Sequence, residues 1–529
     1  MTFCLSRNVN ASDYLSESAC APIGASETVV LHHVGKRGRG VVLVAMLVIM
    51  VLSAMVAAGM LYRMQAESAA SASASDGEQA YQAALSGLQV VLAVMAPTVD
   101  ETQVAPEIPG LPANINPNVI LALADRALWV DNPDLFKDHL VKDDGNNRWY
   151  FSIYSFNASD KENVRFGLTD ESGKVDINTA SEETLLALPN MTPELVDALM
   201  DYRDKDEEAR NDGAEQDYYD QLPEPYSIKN GPLGTIEEVL LVRGFNASIL
   251  YGEDANLNSL LEPNEDDGDE SFPSDDNDGI LNTGLYGNAT TKSVSIDLDG
   301  DGSPKLDLNR ASSTELRDAG ISSATASFVN DYRNDGGKFS HPSQLLDMKH
   351  VIKGSRSSRG RFGGRSSRGS SGPRPGQTIR SGVTESDMPL IMDKLTTAPG
   401  RGLAPQSGLL NVNTATPGAL ATLPGVDEGL ALQIAEARAG LDEEKLRTTA
   451  WLLTEGFVEA DDYKAIAARL ATRGFRFRLR IIGFGVPSGR YRIIEAVIDL
   501  AGTKPRLVYM RDISRLGAPF ALNPEEQGI

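Results

Sequence analysis

The chain has 529 residues, which allows several domains and a substantial buried core. Its 49 Lys and Arg against 74 Asp and Glu give a formal net charge of −25, which repels phosphate polymers and suits divalent cations. Both cysteines, Cys4 and Cys20, lie near the start, and His139, His341 and His350 have no ligand-like spacing. The composition therefore excludes a disulfide scaffold and argues against a zinc or histidine-base active site.

The first predicted element is an apolar stretch, residues 41–62, which directly follows a cluster of cations. A helix of about 21 residues is roughly 32 Å long, which is enough to cross the core of a bilayer. Lys36, Arg37 and Arg39 precede the stretch, and only Arg63 follows it closely. The positive-inside bias predicts a single-pass protein that keeps residues 1–40 in the cytoplasm and exports the rest.

A glycine, Gly40, stands immediately before Val41, the first apolar residue. A secretory signal peptide would place its small-residue cleavage site after the apolar core instead. This order resembles that of type IV prepilins, and the resemblance implies that a membrane peptidase cuts between Gly40 and Val41. The apolar helix would then stay on the mature protein as its anchor. A plain signal anchor with a chance glycine is the alternative.

Residues 63–96 are predicted to continue the helix as a stem, because they are rich in Ala, Ser, Glu and Gln and contain no Pro. Apolar side chains recur there at helical spacing, which indicates that one stripe of the stem faces a core. The stripe consists of Tyr81, Ala84, Leu85, Leu88 and Val91.

Two distant parts of the chain, residues 97–169 and 471–520, carry the β-rich segments. In the first part, residues 148–156 and 164–168 predict a hairpin. In the last part, three strands are expected near residues 475–481, 490–498 and 506–510. A long N-terminal helix on this discontinuous antiparallel sheet predicts a pilin-like α+β fold.

Between the two sheet portions, residues 170–470 are predicted to form an inserted helical domain with three helix-hairpin-helix-like repeats. Each repeat opens with a motif such as Asp-Ile-Asn-Thr-Ala and continues through two short helices to an arginine. We expect the opening Asn to cap the first helix. The repeats span residues 175–203, 306–333 and 410–438, and their inner-face leucines are Leu185, Leu316 and Leu420.

Helix-hairpin-helix units often hold nucleic-acid phosphates on the backbone N–H groups of a glycine hairpin. Here the turns at residues 189–192, 320–322 and 424–427 have no two glycines two positions apart. Acidic residues also flank the first and third turns: Glu194, Asp197, Asp427 and Glu428. We therefore expect protein-packing modules and no nucleic-acid partner.

The prepilin junction, the pilin-like frame and the inserted hairpins together resemble the minor pseudopilin family of type II secretion protein K. The stretches most similar to the family are residues 176–180, 213–219, 225–232, 237–244 and 411–415. The resemblance implies a subunit at the tip of a pseudopilus that initiates its assembly and takes part in protein export across the outer membrane. It also implies an inner-membrane anchor, a cytoplasmic N-terminus and a periplasmic bulk.

The partners that the resemblance implies are other minor pseudopilins, the major pseudopilin, the inner-membrane assembly platform and the prepilin peptidase. Pilins usually carry Glu at the fifth mature position, whereas Ala45 stands there in this chain, as in K-type pseudopilins. An unpaired carboxylate in the bilayer would cost several kcal/mol. A tip subunit, which has no neighbour ahead of it, is expected to lack that Glu.

Two segments are predicted to be loops, namely the acidic loops of residues 254–301 and the Gly/Ser/Arg-rich insert of residues 353–380. The basic insert has no place in the family pattern. It is expected to be a disordered, tolerated loop, and a weak contact with an anionic surface is the alternative.

The acidic segment contains two candidate calcium loops, because calcium in EF-hand-type loops takes oxygen ligands from positions 1, 3, 5, 7, 9 and 12. The first candidate has Ser259 where glycine is usual, and the second has Gly302 at that position but Leu308 at the twelfth. A solvated acidic loop is the alternative for both. The first ligand set is Asp254, Asn256, Asn258, Leu260 through its carbonyl, Glu262 and Glu265, and the second is Asp297, Asp299 and Asp301.

No Ser/His/Asp set, glycine-rich phosphate loop or cysteine nucleophile has suitable spacing, so we expect a structural protein that is not an enzyme. A membrane-anchored DNA receptor of competence type also combines an N-terminal span with such hairpins, and it is the main alternative. Its hairpins would need to be cationic. A secreted hydrolase on an anchor is a third class.

The first testable prediction concerns the junction. Gly40→Leu should leave the precursor at full length, because the peptidase requires the small residue before the apolar helix. Gly38→Leu, two residues earlier, is the matched control and should be processed normally. Mass spectrometry of the mature protein measures the outcome, and an intact leader on the wild-type protein would contradict the prepilin interpretation.

Overall fold

A long helix, α1 (Arg39–Met95), opens the part of the chain that the computed structural model describes. The described residues are 39–96, 117–124, 126–155, 164–258, 260–353, 373–398 and 404–524. Predictions for the leader before residue 39 and for residues 354–372 of the basic insert lie outside them. Two compact units are present, one up to Ser71 and one from Ala72 onward.

By length and composition, α1 is the one helix among the described residues that is long and apolar enough to cross a membrane. Its apolar side chains from Val41 to Met64 are exposed. The predicted continuation of the span into a helical stem agrees with the helix end at Met95.

Most of the remaining helices are short. They are α2 (Pro117–Ala124), α3 (Arg126–Trp129), α4 (Pro133–Phe136), α5 (Glu182–Leu186), α6 (Pro193–Arg203), α7 (Gln216–Tyr219), α8 (Ala247–Tyr251), α9 (Gly284–Asn288), α10 (Ser313–Asp318), α11 (Ser323–Asn334), α12 (Met388–Lys394), α13 (Pro417–Leu420), α14 (Glu428–Ala437), α15 (Glu443–Leu446), α16 (Trp451–Thr454) and α17 (Ala460–Ile466).

The strands fall into one large sheet and several small pairs. They are β1 (His139–Asp143), β2 (Arg148–Tyr154), β3 (Thr169–Asp170), β4 (Val175–Asp176), β5 (Ala289–Thr290), β6 (Leu306–Asp307), β7 (Lys349–Val351), β8 (Thr378–Arg380), β9 (Leu395–Thr396), β10 (Leu410–Asn411), β11 (Leu470–Ala471), β12 (Arg476–Val486), β13 (Tyr491–Asp499) and β14 (Arg506–Asp512).

The large sheet is antiparallel and has the order β1-β2-β12-β13-β14, with β3 paired to one end of β12. Strand β2 therefore lies beside β12, although the whole helical region separates them in sequence. The chain leaves this sheet at β3 and returns to it at β12. The predicted mixed fold, with a long apolar helix and a discontinuous antiparallel sheet, is confirmed.

The predicted hairpin of residues 148–156 and 164–168 is present in part, since Ser155 and Arg165 form an antiparallel bridge. Residues 156–163 between them lie outside the described residues. The strand that pairs with β2 along most of its length, opposite β12, is β1, which the sequence did not predict. Strand β1 is an edge strand with mostly exposed side chains. A strand that is exposed on both faces does not need alternating apolar and polar residues. The sequence of β1 therefore lacks the period-two pattern by which strands are predicted.

The stem packs on the large sheet through the predicted stripe. Leu88 and Val91 of α1 lie in one buried cluster with Phe151 of β2 and Phe477 of β12. The backbones approach closely at Gly483 of β12, where an added Cβ would lie 2.1 Å from the carbonyl oxygen of Ala80. Only glycine permits this spacing between helix and sheet.

Gly483→Ala is therefore expected to lower the free energy of unfolding by about 1–3 kcal/mol, because helix and strand must move apart to admit the methyl group. Gly440→Ala is the matched control, since nothing lies within 4 Å of a Cβ at that position. Thermal unfolding followed by circular dichroism measures both variants. Equal melting temperatures for the two would contradict the close packing.

Candidate functional site

The three repeats share one local structure that the sequence did not reveal. The first strand of each repeat forms a two-residue parallel pair with a strand further along the chain, as β4 with β5, β6 with β9 and β10 with β11. After each first strand, a side-chain oxygen of Asp176, Asp307 or Asn411 accepts the N–H of the residue two positions later. This turn directs the chain into the first helix.

The opening asparagines Asn178, Asn309 and Asn413 do not cap the first helices, which corrects our expectation. The caps are the hydroxyl side chains three residues later, Ser181, Ser312 and Thr416. Each asparagine instead holds a distant segment through its amide. The side-chain amide of Asn178 donates to the carbonyl of Leu233 (3.0 Å) and accepts its N–H (2.8 Å). Asn309 forms the same two bonds with Phe339, both at 2.9 Å. Asn413 donates to the carbonyl of Leu446 (2.7 Å) and accepts from Nε1 of Trp451 (3.1 Å).

The arginine at the end of each repeat, Arg203, Arg333 or Arg438, points back to the opening turn. Burial lowers the pKa of Arg438 to about 9, and the nearby charges of Arg126 and Arg165 add to the effect. The three guanidinium groups are therefore used inside the repeats. Their carbonyl acceptors are Ile177 and Ala180 for Arg203, Leu308 for Arg333, and Val412 and Ala415 for Arg438.

The hairpin turns have one left-handed residue each, Asn190, Gly320 or Gly425, with φ of 61°, 89° and 78°. After each turn, a side-chain oxygen caps the second helix by accepting a backbone N–H of its first turn. A bound phosphate would use the same kind of N–H group. The capping residues are Thr192, Ser322 and Asp427. The caps and the terminal arginines of the three hairpins are therefore engaged within the repeats.

The first candidate calcium loop is folded tightly, and Asp254 and Asn258 are buried. The N–H of Asn258 donates to side-chain oxygens of Asp254 and Asn256, both at 2.9 Å, and the N–H of Leu260 donates to Oδ1 of Asn258 at 2.8 Å. The amides of Asn256 and Asn258 donate to the carboxylate of Glu262. The structure therefore brings these predicted ligand residues into one network, although Ser259 lies outside the described residues.

Glu265 completes the loop and is 1% exposed. Its carboxylate accepts the backbone N–H groups of Ala255 and Glu262, both at 3.2 Å. Burial raises the pKa of Glu265 to about 7, and the charges of Asp254 and Glu262 contribute to the rise. A cation with oxygen ligands would offset that repulsion.

The carboxylates of the second candidate loop are paired with lysine side chains. Asp297 pairs with Nζ of Lys305 at 2.6 Å, and Asp299 pairs with Nζ of Lys394 at 2.9 Å. Asp301 lies 3.8 Å from the same Lys394 group. Lysine ammonium groups already neutralise these carboxylates, which argues against calcium there. Lys394 is far away in sequence, so the motif alone could not reveal the pairing.

A third acidic group was missed in the sequence. Asp204, Asp206 and Glu215 bring one carboxylate oxygen each to within 4.8 Å of one another. Burial, followed by the charges of nearby acids, raises the pKa of Glu215 to about 7. The spacing of these three acids matches no metal-loop pattern, so the sequence alone did not indicate that they meet.

The comparisons with known proteins match two parts of the chain. Residues 168–251 match the family described as Type II secretion system (T2SS), protein K, and residues 302–353 match the helix-hairpin-helix motif. No curated protein sequence matches the chain. A solved structure, the GspK-GspI-GspJ complex from the enterotoxigenic Escherichia coli Type 2 Secretion System, is similar at 12% identity with a TM-score of 0.34, covering 82% of this chain and 97% of that chain.

A long apolar helix, an antiparallel sheet and helical hairpins inserted between its strands together give the chain a pilin-like α+β fold. More narrowly, residues 168–251 are similar to the type II secretion protein K family. The family resemblance drawn from the sequence is confirmed over that domain, and the helix-hairpin-helix prediction is confirmed for the second repeat.

We expect the full chain in detergent micelles to leave a duplex DNA unshifted in a gel at physiological salt, because the hairpin caps and arginines are engaged internally. A chain that lacks residues 354–372 is the control for the basic insert. Submicromolar binding that weakens with salt and persists in this deletion would favour the DNA-receptor alternative.

Proposed function

We propose that this chain is a minor pseudopilin at the tip of a type II secretion pseudopilus, where it initiates assembly and takes part in protein export across the outer membrane. The observation that carries the proposal is the protein K domain at residues 168–251. That domain begins at the edge of the pilin-like sheet, where β3 pairs with β12. The stretch that matches protein K is therefore joined directly to the pilin-like sheet, which is the type of fold that pilus filaments use.

The absence of a carboxylate at the fifth mature position supports a tip position. In a filament of stacked stems, that carboxylate would meet the terminal amine of the neighbouring subunit. Ala45 occupies the position here, within the exposed apolar part of α1. A subunit with no neighbour ahead of it gains nothing from a charge in the bilayer and avoids its desolvation cost.

The proposed partners are other minor pseudopilins, the major pseudopilin, the inner-membrane assembly platform and the prepilin peptidase. We place the anchor in the inner membrane with the N-terminus in the cytoplasm and the rest in the periplasm. The exposed apolar side chains of α1 support an anchor that also contacts neighbouring stems. The role is structural, without catalysis.

Ala45→Glu tests the tip position. It should reduce export of a type II substrate several-fold in cells that lack the wild-type protein, since the new carboxylate has no partner and costs several kcal/mol in the bilayer. Ala45→Leu keeps the helix apolar and should support normal export. Improved incorporation and export with Ala45→Glu would indicate a subunit within the shaft and contradict the proposal.

We also propose that the first candidate loop binds calcium as a structural cation, through Asp254, Asn256, Asn258, Leu260, Glu262 and Glu265. The buried position of Glu265 beside other acids supports this, because calcium would offset their repulsion. Outside the cytoplasm the ion would be available at millimolar levels. The second candidate set, with its lysine partners, is not part of the proposal.

Calcium at about 100 times its dissociation constant should stabilise the folded chain by roughly 2.7 kcal/mol, so the melting temperature should rise with calcium and fall with chelator. Glu265→Gln should reduce that shift, because it removes the expected bidentate ligand. Asp276→Asn, an exposed acid of the same segment, is the control. Identical melting curves with calcium and with chelator would show a plain acidic loop.

A further inference from the structure

We propose that a cavity between α3, the third repeat and the segment that leads into β12 binds a small oxyanion, which carries a carboxylate or phosphate group. The cavity has a volume of about 220 Å³. Ordinary small-molecule sites have volumes of about 300–1,000 Å³, so the ligand is limited to a few heavy atoms. The polar side chains that line the cavity include Arg126, Trp129, Asn413, Glu443, Arg447 and Arg473.

The decisive observation is a pair of buried N–H donors that have no acceptor. Nε of Arg126 and Nε1 of Trp129 are both buried, and neither has a hydrogen-bond partner among the described residues. The Trp129 side chain is only 4% exposed, and both residues belong to α3 and line the same cavity. A buried donor without an acceptor loses its hydration without compensation. The two donors therefore indicate an acceptor within the cavity.

The charge of the cavity wall favours an anion over a neutral acceptor. Within the part of the chain that the structure describes, Arg126 and Arg473 form no ion pair with a carboxylate. Nη2 of Arg126 donates to the carbonyl of Asn413 at 3.1 Å. Nη1 and Nη2 of Arg473 donate to the carbonyls of Asp299 and Gly300 at 2.8 and 2.7 Å. These neutral acceptors hold the two guanidinium groups in place without cancelling their charge.

The acids nearest to the cavity are engaged elsewhere or exposed. Asp299 pairs with Nζ of Lys394 at 2.9 Å, and Asp301 lies 3.8 Å from Lys394 and 3.6 Å from Arg447. Glu443 lines the cavity, but it is exposed and stands at the rim together with Arg447. The interior of the cavity is therefore left to the guanidinium groups of Arg126 and Arg473.

Burial makes the cationic state of these arginines less favourable. It lowers the pKa of Arg126, and the charges of Glu443 and Asp170 offset only part of that effect. Burial also lowers the pKa of Arg473, although Asp299 and other acids act in the opposite direction. An anion in the cavity would restore the interaction that the two groups lose with water.

The donors that remain available select the class of ligand. The amide of Asn411 donates to Asp170 at 2.6 Å, and the amide of Asn413 donates to the carbonyls of Leu446 and Thr472 at 2.7 and 3.2 Å. The guanidinium and indole N–H groups therefore remain for a ligand. Arginine presents its N–H donors as a planar fork, which matches the paired oxygens of a carboxylate or a phosphate.

Part of the cavity wall is apolar. Leu123 and Leu446 line it and are each 4% exposed. A short hydrocarbon body attached to the anionic group would therefore find apolar surface, so the ligand can be a small organic acid as well as free phosphate.

Calorimetric titration of the full chain in detergent micelles tests the site, with inorganic phosphate in one arm and succinate in the other. Chloride keeps the ionic strength constant, because salt screens charges in general. At least one of the two anions should bind at millimolar concentration or below with one ion per chain. Binding of phosphate alone would identify a tetrahedral ligand, and binding of succinate alone would identify an organic acid.

Substitutions of opposite sign locate the bound anion. Arg126→Gln should weaken binding at least about tenfold, because it removes a buried charged donor. Arg447→Gln, at the exposed rim, should weaken it about threefold, and Glu443→Gln should strengthen it by a similar factor, because it removes a competing carboxylate. Arg490→Gln, an exposed arginine between β12 and β13, is the control and should leave the affinity unchanged.

Melting curves separate binding at this site from the general stabilisation that phosphate gives to proteins. The anion should raise the melting temperature of the parent and of Arg490→Gln more than that of Arg126→Gln, because only the first two retain the site. The proposal is overturned if neither anion binds at millimolar concentration. It is also overturned if Arg126→Gln, Arg447→Gln and Glu443→Gln all bind with the affinity of the parent. Because the readout is anion binding, its failure would leave the secretion role untouched.

Discussion

The fold depends on a buried ionic network that joins the sheet to the helical insert. Arg478 and Arg480 of β12 both pair with Glu495 of β13, at 2.8 and 3.2 Å, and Arg478 also pairs with Glu171 at 2.7 Å. The hydroxyl of Tyr286, from α9, donates to Glu495 at 2.6 Å. Burial alone would raise the pKa of Glu495, but the arginines hold it well below its ordinary value. Because removal of one partner leaves the others buried and uncompensated, at a cost of about 3–5 kcal/mol, frame and insert are coupled.

Features that depend on local pattern could be predicted from the sequence. The apolar run behind a cation cluster predicted the long helix, and the spacing of Leu88 and Val91 predicted the face that packs on the sheet. Alternation and β-rich composition located the last three strands. Repetition of one short motif located the hairpins, since each copy needs the same turn, the same buried leucine and the same returning arginine.

Features that depend on distant partners could not be predicted. The opening asparagines were predicted to be helix caps. Their actual hydrogen bonds, such as that of Asn178 with Leu233, join residues 55 positions apart, and a local pattern does not reveal such pairs. The ion pair between Asp299 and Lys394, 95 residues later in the chain, could not be predicted from the local spacing of acids. The burial of Glu215 follows from the path of the backbone past Gly213, and no spacing of acids encodes that path.

The separation of the two halves of the sheet also affects the order in which the chain can fold. Glu171 and Arg478, which meet in the buried network, are 307 residues apart. Each two-residue parallel pair in the insert closes before the next one begins, so the three loops can pack in succession as the polypeptide is made. Strand β2 must wait for β12, so Phe151 lacks its paired residue Gly483 until then. The sheet can therefore close only when the whole chain has been made. A chain that ends before β12 leaves the backbone N–H and C=O groups of β2 unpaired on that side, and such an edge is prone to aggregate.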